Sequence, residues 1–456
     1  MSKEEQVEKI LQTPSLEMSL TNVLEGSFFE KGDWPSKTWW EEYGVKELNG
    51  LIEKALKENP TIQAVKERIA FAKNKAVIAG SELYPLIYFN GNDEWQRLSK
   101  NGLYRAFNPN LNINANLVNF NFSYSYELDF WGKYHNLYYA ALGKEKAAIA
   151  ETAQAELIIS TALATAYFAL RTNLIRKELY EKLYLVRLEY YQLQEKMRKS
   201  ALYGKLTPLF SEEAVFEAEK WLYSIEQEVA MNQHLVNILV GQGPDIPLLL
   251  NEPLSPLAKK LSTPTNISAE LLIRRPDLMA QTWRMDALAH EVGAAKANFW
   301  PNFNLVGLLG LESLPWSRLF QWASSTFDIL PAFTLPVYTA GAIGANVDVK
   351  KAEFYEAVYS YNDLILKSFQ EVADLLAVGR SVFGEKEKQE QIVEVADERY
   401  QLYFLREEKG LDNALTTYTA IEELLQKKLE NIVLLFQQYM VSISLTRSLG
   451  GGYLHE

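Results

Sequence analysis

Two hydrophobic periodicities alternate along the chain, and each of them occurs twice. Apolar positions recur at helical spacing over about 133–203 and again over about 342–409. Stretches that alternate with a period of two precede both of these segments. At about 1.5 Å per residue, each helical stretch would extend for roughly 100 Å, which exceeds a compact domain. The pattern therefore predicts long helices attached to strands.

The clearest strand pattern is NINANLVNFNFSYSYEL, residues 112–128. Apolar and aromatic residues alternate with Asn and Ser, and a change of parity after Val118 predicts a β-bulge there. Such long strands with one apolar and one wet face are typical of a transmembrane β-barrel, although the Asn face of a soluble sandwich would show the same alternation. Strands are predicted at about 84–98, 112–130, 301–312 and 325–339.

Four strands are too few for a spanning barrel, since known ones begin at about eight. Lipid cannot hydrogen-bond an open sheet edge. If these strands cross a membrane, several chains must share one barrel. Two longer stretches are uncharged, 106–126 and 329–347. Neither predicts a transmembrane helix, because the first contains repeated Asn and the second contains Pro and Gly.

An internal repeat organises the chain. The junction SELYPLIYFNG at 81–91 resembles ANFWPNFNLVG at 297–307, and each is followed by two strands, a long helix, a turn and a second helix. Glycines at the two turns, Gly204 and Gly410, are expected to end the long helices. The predicted divisions are an N-terminal segment 1–47, a first repeat 48–242, a Pro-rich linker 243–265, a second repeat 266–447 and a tail 448–456.

Composition excludes several classes of protein. A net charge of −12 argues against a nucleic-acid partner, which would require clustered Lys and Arg. The chain has no cysteine, so it has no disulfide, thiolate metal site or cysteine nucleophile. The start, MSKEEQVEKI, shows no apolar signal segment.

No enzyme, metal site or cofactor is predicted. His290-Glu291 begins like a zinc-protease motif, but Ala294 stands where the second histidine is needed. The Gly450–Gly452 run lacks the strand-to-helix context of a phosphate-binding loop. The other histidines are interpreted as surface or packing residues: His135, His234 and His455.

The chain resembles the outer-membrane efflux factor family, the TolC-like exit ducts of tripartite drug-efflux and type I secretion systems, over about 39–453. Its lipoprotein branch is the most similar. The segments that carry the resemblance are YELDFWGKYHN (126–136), IRRPDLMAQ (273–281), VGAAKANFWPNFNLVG (292–307), LPVYTAGAIGA (335–345), GLDNALTTYTA (410–420) and SLGGGYL (448–454).

This resemblance implies an α+β membrane protein with two tandem helix-strand-strand-long helix-helix repeats. It implies a homotrimer in which four strands per chain form a 12-stranded outer-membrane β-barrel, continuous with a periplasmic α-helical barrel of coiled-coil type. The N-terminal segment, linker and tail would form an equatorial belt. The implied function is a passive duct for multidrug export in a Gram-negative-type outer membrane, with outer-membrane lipid, a periplasmic adaptor protein and an inner-membrane pump as partners.

The resemblance also places the functional residues at the two helix turns. The acid of its G-x-D-N motif corresponds to Asp412, where a ring of carboxylates would bind cations and resist opening; a solvated turn or helix N-cap is the alternative. Aperture residues are then Asp412, Leu411 and Asn413, and adaptor-contacting residues are Gly204, Lys205, Thr207, Gly410 and Leu415.

Two departures from the family pattern stand out. The usual acid later in the second tip helix is replaced around Tyr418-Thr419, so tip pairing should differ. The acylated cysteine of the lipoprotein branch has no counterpart here. Two other functions remain open from the residues alone: a soluble coiled-coil scaffolding protein, and a stand-alone porin.

Overall fold

The structure is a computed structural model that describes residues 28–110, 112–202, 204–248, 250, 252, 254, 257, 261–264 and 267–454, with 105, 268 and 269 described by their backbone alone. Most of the N-terminal segment, much of the linker, Tyr203 and His455 lie outside the described residues. The helices and strands in chain order are β1 Phe29–Lys31, α1 Lys46–Glu58, α2 Pro60–Ser81, β2 Leu86–Arg97, α3 Leu103–Phe107, β3 Asn114–Leu128, α4 Lys133–Lys199, α5 Leu206–Val240, β4 Leu261–Thr263, α6 Ile267–Arg274, α7 Pro276–Ala297, β5 Asn302–Ser313, β6 Ser325–Thr334, α8 Ala342–Glu408 and α9 Ala414–Ser448.

The internal repeat is visible in the lengths of these elements. Helices α2 and α7 have 22 residues each, and strands β2 and β5 have 12 each. Helices α4 and α8 have 67 residues each, and α5 and α9 have 35 each. Among these pairs the two halves therefore share one backbone plan, element by element.

The chain divides into two compact units, one formed by 1–67, 149–280 and 361–456, and the other by 68–148 and 281–360. The second unit contains an antiparallel sheet of order β2-β3-β5-β6. Its helices approach closely because their contact residues are small: a Cβ on Gly143 would lie 3.1 Å from that of Ala287. Glu291 on α7 joins them by accepting hydrogen bonds from Lys144 (2.5 Å) and Lys350 (2.8 Å).

The predicted bulge after Val118 is wrong. Pairing between β2 and β3 runs without interruption from Leu86 opposite Ser125 to Arg97 opposite Asn114, and the β3–β5 register is equally continuous. The change of parity belongs to the side chains alone. At its start, β3 carries Asn114 and Asn116 on the face that is apolar from Val118 onward.

Strand β6 is also shorter than predicted, since it ends at Thr334 instead of about 339. Pro336 lacks the N–H that would continue the ladder. Ala340 and Gly341 then turn the chain with φ values of +51° and +83° before α8 begins. Leu335 and Val337, which fall within the predicted strand 325–339, therefore lie in the connection.

The first unit is held by apolar clusters between the long helices. The largest cluster joins the helical turn Trp39–Tyr43 and α1 to α4, α5 and α9, with the rings of Phe168 and Tyr439 stacked at 3.9 Å. Linker residues Leu248 and Leu250 pack on the same cluster. Strands β1 and β4 pair in parallel beside a second cluster, so the described ends of the N-terminal segment and linker meet there.

The IRRPDL segment owes its arrangement to a buried arginine. Arg275 donates to Asp277 (2.8 Å), to Glu371 on α8 (3.0 Å) and to the carbonyl of Ser448 at the end of α9 (3.1 Å). Burial lowers the pKa of Arg275, but these carboxylates outweigh burial and raise the pKa above its ordinary value. The motif thus ties the start of α7 to two other helices.

Candidate membrane surface and helix tips

One face of the four-stranded sheet is aromatic and apolar. Residues directly opposite each other in an antiparallel pair share a face, so the register places Phe89, Phe122, Leu309 and Phe327 in one row across all four strands. Their side chains are 54–75% exposed. So large an apolar exposed surface is typical of contact with lipid or another protein.

The opposite face of the sheet is polar on β2 and β3. The Asn90 amide donates to the Asn121 carbonyl oxygen (3.1 Å) and to the Ser123 hydroxyl (2.9 Å), and Asn121 donates to Asn119 (2.6 Å). On β5 and β6 this face is mixed, because Val306 and Leu330 are opposite each other there. The polar character predicted for this face therefore belongs mainly to the first hairpin.

Aromatic residues also mark the rim where the strands meet the helices. The indoles of Trp131 and Trp300 stack at 4.9 Å, and Trp131 Nε1 donates to the Pro301 carbonyl at 2.8 Å. Both rings remain partly exposed, and Phe130 and Phe303 meet edge to face beside them. Amphipathic aromatic rings at such a position are typical of a membrane–water interface. The aromatic–Pro pair of the repeated junction thus forms part of this rim.

The second tip, between α8 and α9, follows from its sequence. Gly410 takes φ +69°, and the N–H groups of Leu411 and Gly410 bond the Arg406 and Glu407 carbonyls at 2.9 and 2.8 Å. This is a Schellman motif. Asn413 then caps α9, with its side chain accepting from the Thr416 N–H at 3.2 Å.

Asp412 lies inside this turn and is not a free carboxylate. It accepts a hydrogen bond of 2.5 Å from Nε of Arg406, and this bond raises the pKa of the guanidinium. The predicted aperture acid therefore has a counter-ion within its own chain. Leu411 beside it is exposed, and Leu415 is half-buried in the first turn of α9.

The first tip, between α4 and α5, differs from the prediction. Helix α4 ends at Lys199 rather than near 203, and the left-handed residue is Ala201 at φ +58° instead of Gly204. The N–H groups of Ala201 and Leu202 complete the same Schellman pattern. Gly204 and Lys205 are exposed and precede α5, while Thr207 is half-buried in its first turn. Lys205 makes no side-chain cap.

A buried arginine near the tips was missed by sequence reasoning. Arg187 on α4 is 7% exposed; it donates to Glu422 on α9 (2.8 Å) and to the Ala214 carbonyl on α5 (2.8 Å), and its guanidinium lies over the Trp221 ring. It joins three helices. Only its position on an apolar face of α4 could have signalled this role.

At Tyr418, where the family pattern has an acid nearby, the structure shows a contact between two aromatic rings. The Tyr418 ring meets that of Tyr190 on α4 edge to face at 6.2 Å. Burial, together with Glu189, raises the pKa of Tyr418. An aromatic contact between α4 and α9 thus stands where the resemblance implied an acid.

In the described part of the chain, one helix, α4, is long and apolar enough to cross a membrane. Of its apolar 18-residue stretch, 56% is buried inside the protein. A core helix meets the same criteria, and α4 supplies Leu163, Tyr167 and Phe168 to the largest cluster.

This combination of an open sheet with one aromatic face and pairs of very long helices defines the class of outer-membrane export channels. The family model described as outer membrane efflux protein matches residues 51–201 and 267–451, and the chain belongs to that family. It is an outer membrane efflux protein.

Named relatives and solved structures agree with this family. The multidrug resistance outer membrane protein MdtP of Escherichia coli K12 is 26% identical over 430 residues, covering 92% of this chain and 87% of MdtP. MdtQ of Escherichia coli O157:H7 is 27% identical over 437 residues, covering 93% of this chain and 89% of MdtQ. Both relatives are named as multidrug resistance outer membrane proteins.

The fold agrees as well. The outer membrane protein VceC from Vibrio cholerae superposes with a TM-score of 0.81 at 28% identity, covering 92% of this chain and 100% of VceC. The Campylobacter jejuni CmeC outer membrane channel superposes with a TM-score of 0.84 at 20% identity, covering 95% of this chain and 92% of CmeC.

Proposed function

We propose that three copies of this chain share one 12-stranded barrel and form the exit duct of a tripartite multidrug efflux system. The observation that carries this proposal is the open sheet with an aromatic face. Among the described strands, β2 and β6 each have a neighbour on one side only. Because lipid offers no hydrogen bonds to an exposed edge, both edges require partners from other copies.

The direction of the strands supports this closure. Each neighbouring pair in β2-β3-β5-β6 is antiparallel, so β2 and β6 run in opposite directions. The β6 edge of one copy can therefore pair antiparallel with the β2 edge of the next. Such a head-to-tail contact makes a closed ring when the rotation between copies closes. Three copies supply 12 strands, as the family resemblance implies.

In this arrangement the long helices form a tunnel and their turns form its periplasmic end. Transport needs no chemistry in the duct; the energy comes from an inner-membrane pump, reached through a periplasmic adaptor. The adaptor contacts Gly204, Lys205, Thr207, Gly410 and Leu415. The multidrug resistance names of MdtP and MdtQ support drug-like cargo.

The gate lies at Leu411, Asp412 and Asn413. The Arg406–Asp412 pair holds the α8–α9 turn in its folded shape, and adaptor or pump engagement shifts the turn to an open state. Since each carboxylate already has a counter-ion, the pair acts chiefly through turn geometry, and cation binding at the aperture takes second place.

Assembly is tested by mass and by cross-linking. Light scattering in mild detergent should give three times 52.1 kDa. The chain has no cysteine, so cysteines introduced along the outer edges of β2 and β6, at Tyr88, Asn90 or Asn92 and at Asp328, should cross-link copies into trimers. Single-cysteine variants are the matched control. A detergent-free monomer or dimer would overturn the duct and favour a scaffolding protein.

Gating is tested by conductance in planar bilayers. Asp412→Ala frees Arg406 and should raise conductance through a loosened tip. Glu408→Ala removes the same charge from an exposed position one turn earlier and should leave conductance unchanged. Equal conductance of wild type and Asp412→Ala would remove Asp412 from the gate while leaving the trimer proposal intact.

A further inference from the structure

Two connections lie at the end of the sheet away from the long helices. Residues 98–113 join β2 to β3 and residues 314–324 join β5 to β6. Register places them side by side, because Val118, near the start of β3, is opposite Ser313 at the end of β5. We call these connections, together with the last β2 residue Arg97, the loop rim.

The loop rim is cationic in a chain of net charge −12. Its charged residues are Arg97, Lys100, Arg105 and Arg318, and the two connections contain no Asp or Glu. Arg97, Lys100 and Arg318 are exposed and form no ion pair with another described residue. An excess of positive charge in an acidic protein indicates an anionic partner.

Exposed aromatic rings accompany these cations. Trp322 is 90% exposed and Phe107 82%, and Phe320, Tyr104 and Trp95 are similarly open to solvent. Trp316 is anchored at the edge of the aromatic face: its Nε1 donates to Asp93 at 2.9 Å, and its ring contacts Phe120. The rim therefore contacts the aromatic face of the sheet through Trp316.

The acids nearest to the rim form no ion pair with Arg97, Lys100 or Arg318 in the described part of the chain. Asp93, on the same face of the sheet as Arg97, accepts a hydrogen bond from the Trp316 indole. Glu94 and Glu312 are opposite Leu117 and Asn119, and this register puts them on the other face of the sheet. The four basic residues of the rim outnumber Asp93, and the register places one of them, Arg97, on the aromatic face.

The rim at the helix end of the sheet has aromatic residues but no such excess. There, Lys133 pairs with Glu127 at 3.3 Å and His135 with Asp129 at 2.8 Å. Aromatic rings alone indicate an interface between hydrocarbon and water. Aromatic rings with unpaired Lys and Arg indicate an interface whose headgroups are anionic.

We propose that the loop rim binds the phosphate groups of anionic lipids in the leaflet that faces the outside of the cell. Arg97, Lys100 and Arg318 contact the phosphates, while Trp316, Phe320 and Trp322 lie among the upper acyl chains. This inference rests on the proposed membrane position of the sheet. It goes beyond that proposal by assigning a charge preference to one leaflet.

The test uses the full chain in mixed micelles of dodecyl maltoside with phosphatidylglycerol or phosphatidylcholine. Native mass spectrometry gives the apparent Kd for each lipid. Wild type should prefer phosphatidylglycerol, and the triple variant Arg97→Gln, Lys100→Gln, Arg318→Gln should reduce that preference by roughly tenfold or more. The matched control carries three Gln substitutions at the exposed Lys46, Lys57 and Lys388 and should keep it.

Two further arms separate the alternatives. Arg97→Lys with Lys100→Arg and Arg318→Lys should restore the preference, which a merely misfolded variant could not show. Inorganic phosphate at the same concentration as phosphatidylglycerol should not displace the bound lipid. Displacement would indicate a free-phosphate site and overturn the lipid proposal. Equal Kd values for the two lipids, or an equal loss in the control, would also overturn it. The mass of the same sample reports separately whether the trimer forms, so failure of the proposed function is distinguishable.

Discussion

The two repeats share a backbone plan but not the contacts that hold it. Matched by position in their equal-length helices, Arg187 in α4 corresponds to buried Ala396 in α8, and Glu291 in α7 corresponds to exposed Lys75 in α2. At these two matched positions the polar link is therefore present in one half only, although the exposed pair of Arg399 and Glu423 joins α8 to α9 near Ala396. Element lengths are therefore conserved between the halves where the side-chain links are not.

The tips show the same contrast at closer range. Both long helices end in a Schellman motif, yet one uses Gly410 and the other Ala201 in the left-handed region. Asn413 caps the helix after one turn, whereas Lys205 has helical dihedral angles and no cap before the other. The second turn is locally favoured by its sequence. The first has neither a Gly at the left-handed position nor a capping side chain.

Removing the link at Arg187 should have the largest effect. Arg187→Ala leaves Glu422 and the Ala214 carbonyl without their donor and should lower the free energy of unfolding by about 3 kcal/mol. Denaturant titration in detergent, followed by circular dichroism, measures this loss. Arg399→Ala is the matched control, because its ion pair with Glu423 is exposed and is expected to contribute less than about 1 kcal/mol. Equal losses would show that burial does not distinguish the two pairs.

Glu291 should give the next largest effect, and it should depend on pH. Burial raises the pKa of Glu291, but hydrogen bonds from Lys144 and Lys350 outweigh burial and hold the pKa below its ordinary value. A lowered folded-state pKa stabilises the protein above the unfolded-state pKa and loses that stabilisation as pH falls through the folded-state value. Glu291→Gln should cost about 1–2 kcal/mol at pH 7.

The thermal midpoint of Glu291→Gln should converge with that of wild type as the pH is lowered below the ordinary carboxyl range. Glu356→Gln, on an exposed surface of α8, is the control with the same charge change. A constant gap at all pH values would mean that the Glu291 carboxylate charge contributes nothing.

Exchanging the left-handed residues of the tips tests the comparison directly. Gly410→Ala should destabilise the protein by about 1 kcal/mol, because φ +69° is costly for a residue with a Cβ. Ala201→Gly should stabilise it by a similar or smaller amount for the same reason. The two substitutions must change the free energy of unfolding in opposite directions. If both lower it, the Ala201 side chain makes a contact that contributes more than its left-handed backbone costs.

The helix caps should give the smallest difference. Asn413→Ala removes the bond to the Thr416 N–H and should cost about 0.5–1 kcal/mol. Lys205→Asn should change stability by less, because a residue with helical dihedral angles cannot direct its side chain at the first N–H groups. Hydrogen exchange of the first turns of α5 and α9 measures both. A gain of protection in Lys205→Asn would contradict this reading of the first tip.

The sequence predicted what depends on periodicity and missed what depends on distant partners. Alternation located the strands, and Gly410 with Asn413 marked the second tip because both residue types have local backbone roles. Ala201 carries no such signal, so the end of α4 was displaced to Gly204. The bulge at Val118 was inferred from side-chain parity, although composition can change along a strand while the backbone continues. Arg187 finds its partners 27 and 235 residues away.

The open edges of β2 and β6 have a genetic consequence. In the proposed trimer, a copy whose β6 edge is damaged still presents a sound β2 edge, so it can enter a ring and prevent its closure. If altered and normal copies are made in equal amounts and mix at random, only about one in eight three-copy rings contains no altered copy. A damaged β6 allele should therefore suppress efflux in cells that also carry the normal gene, whereas an allele that prevents folding altogether should be recessive.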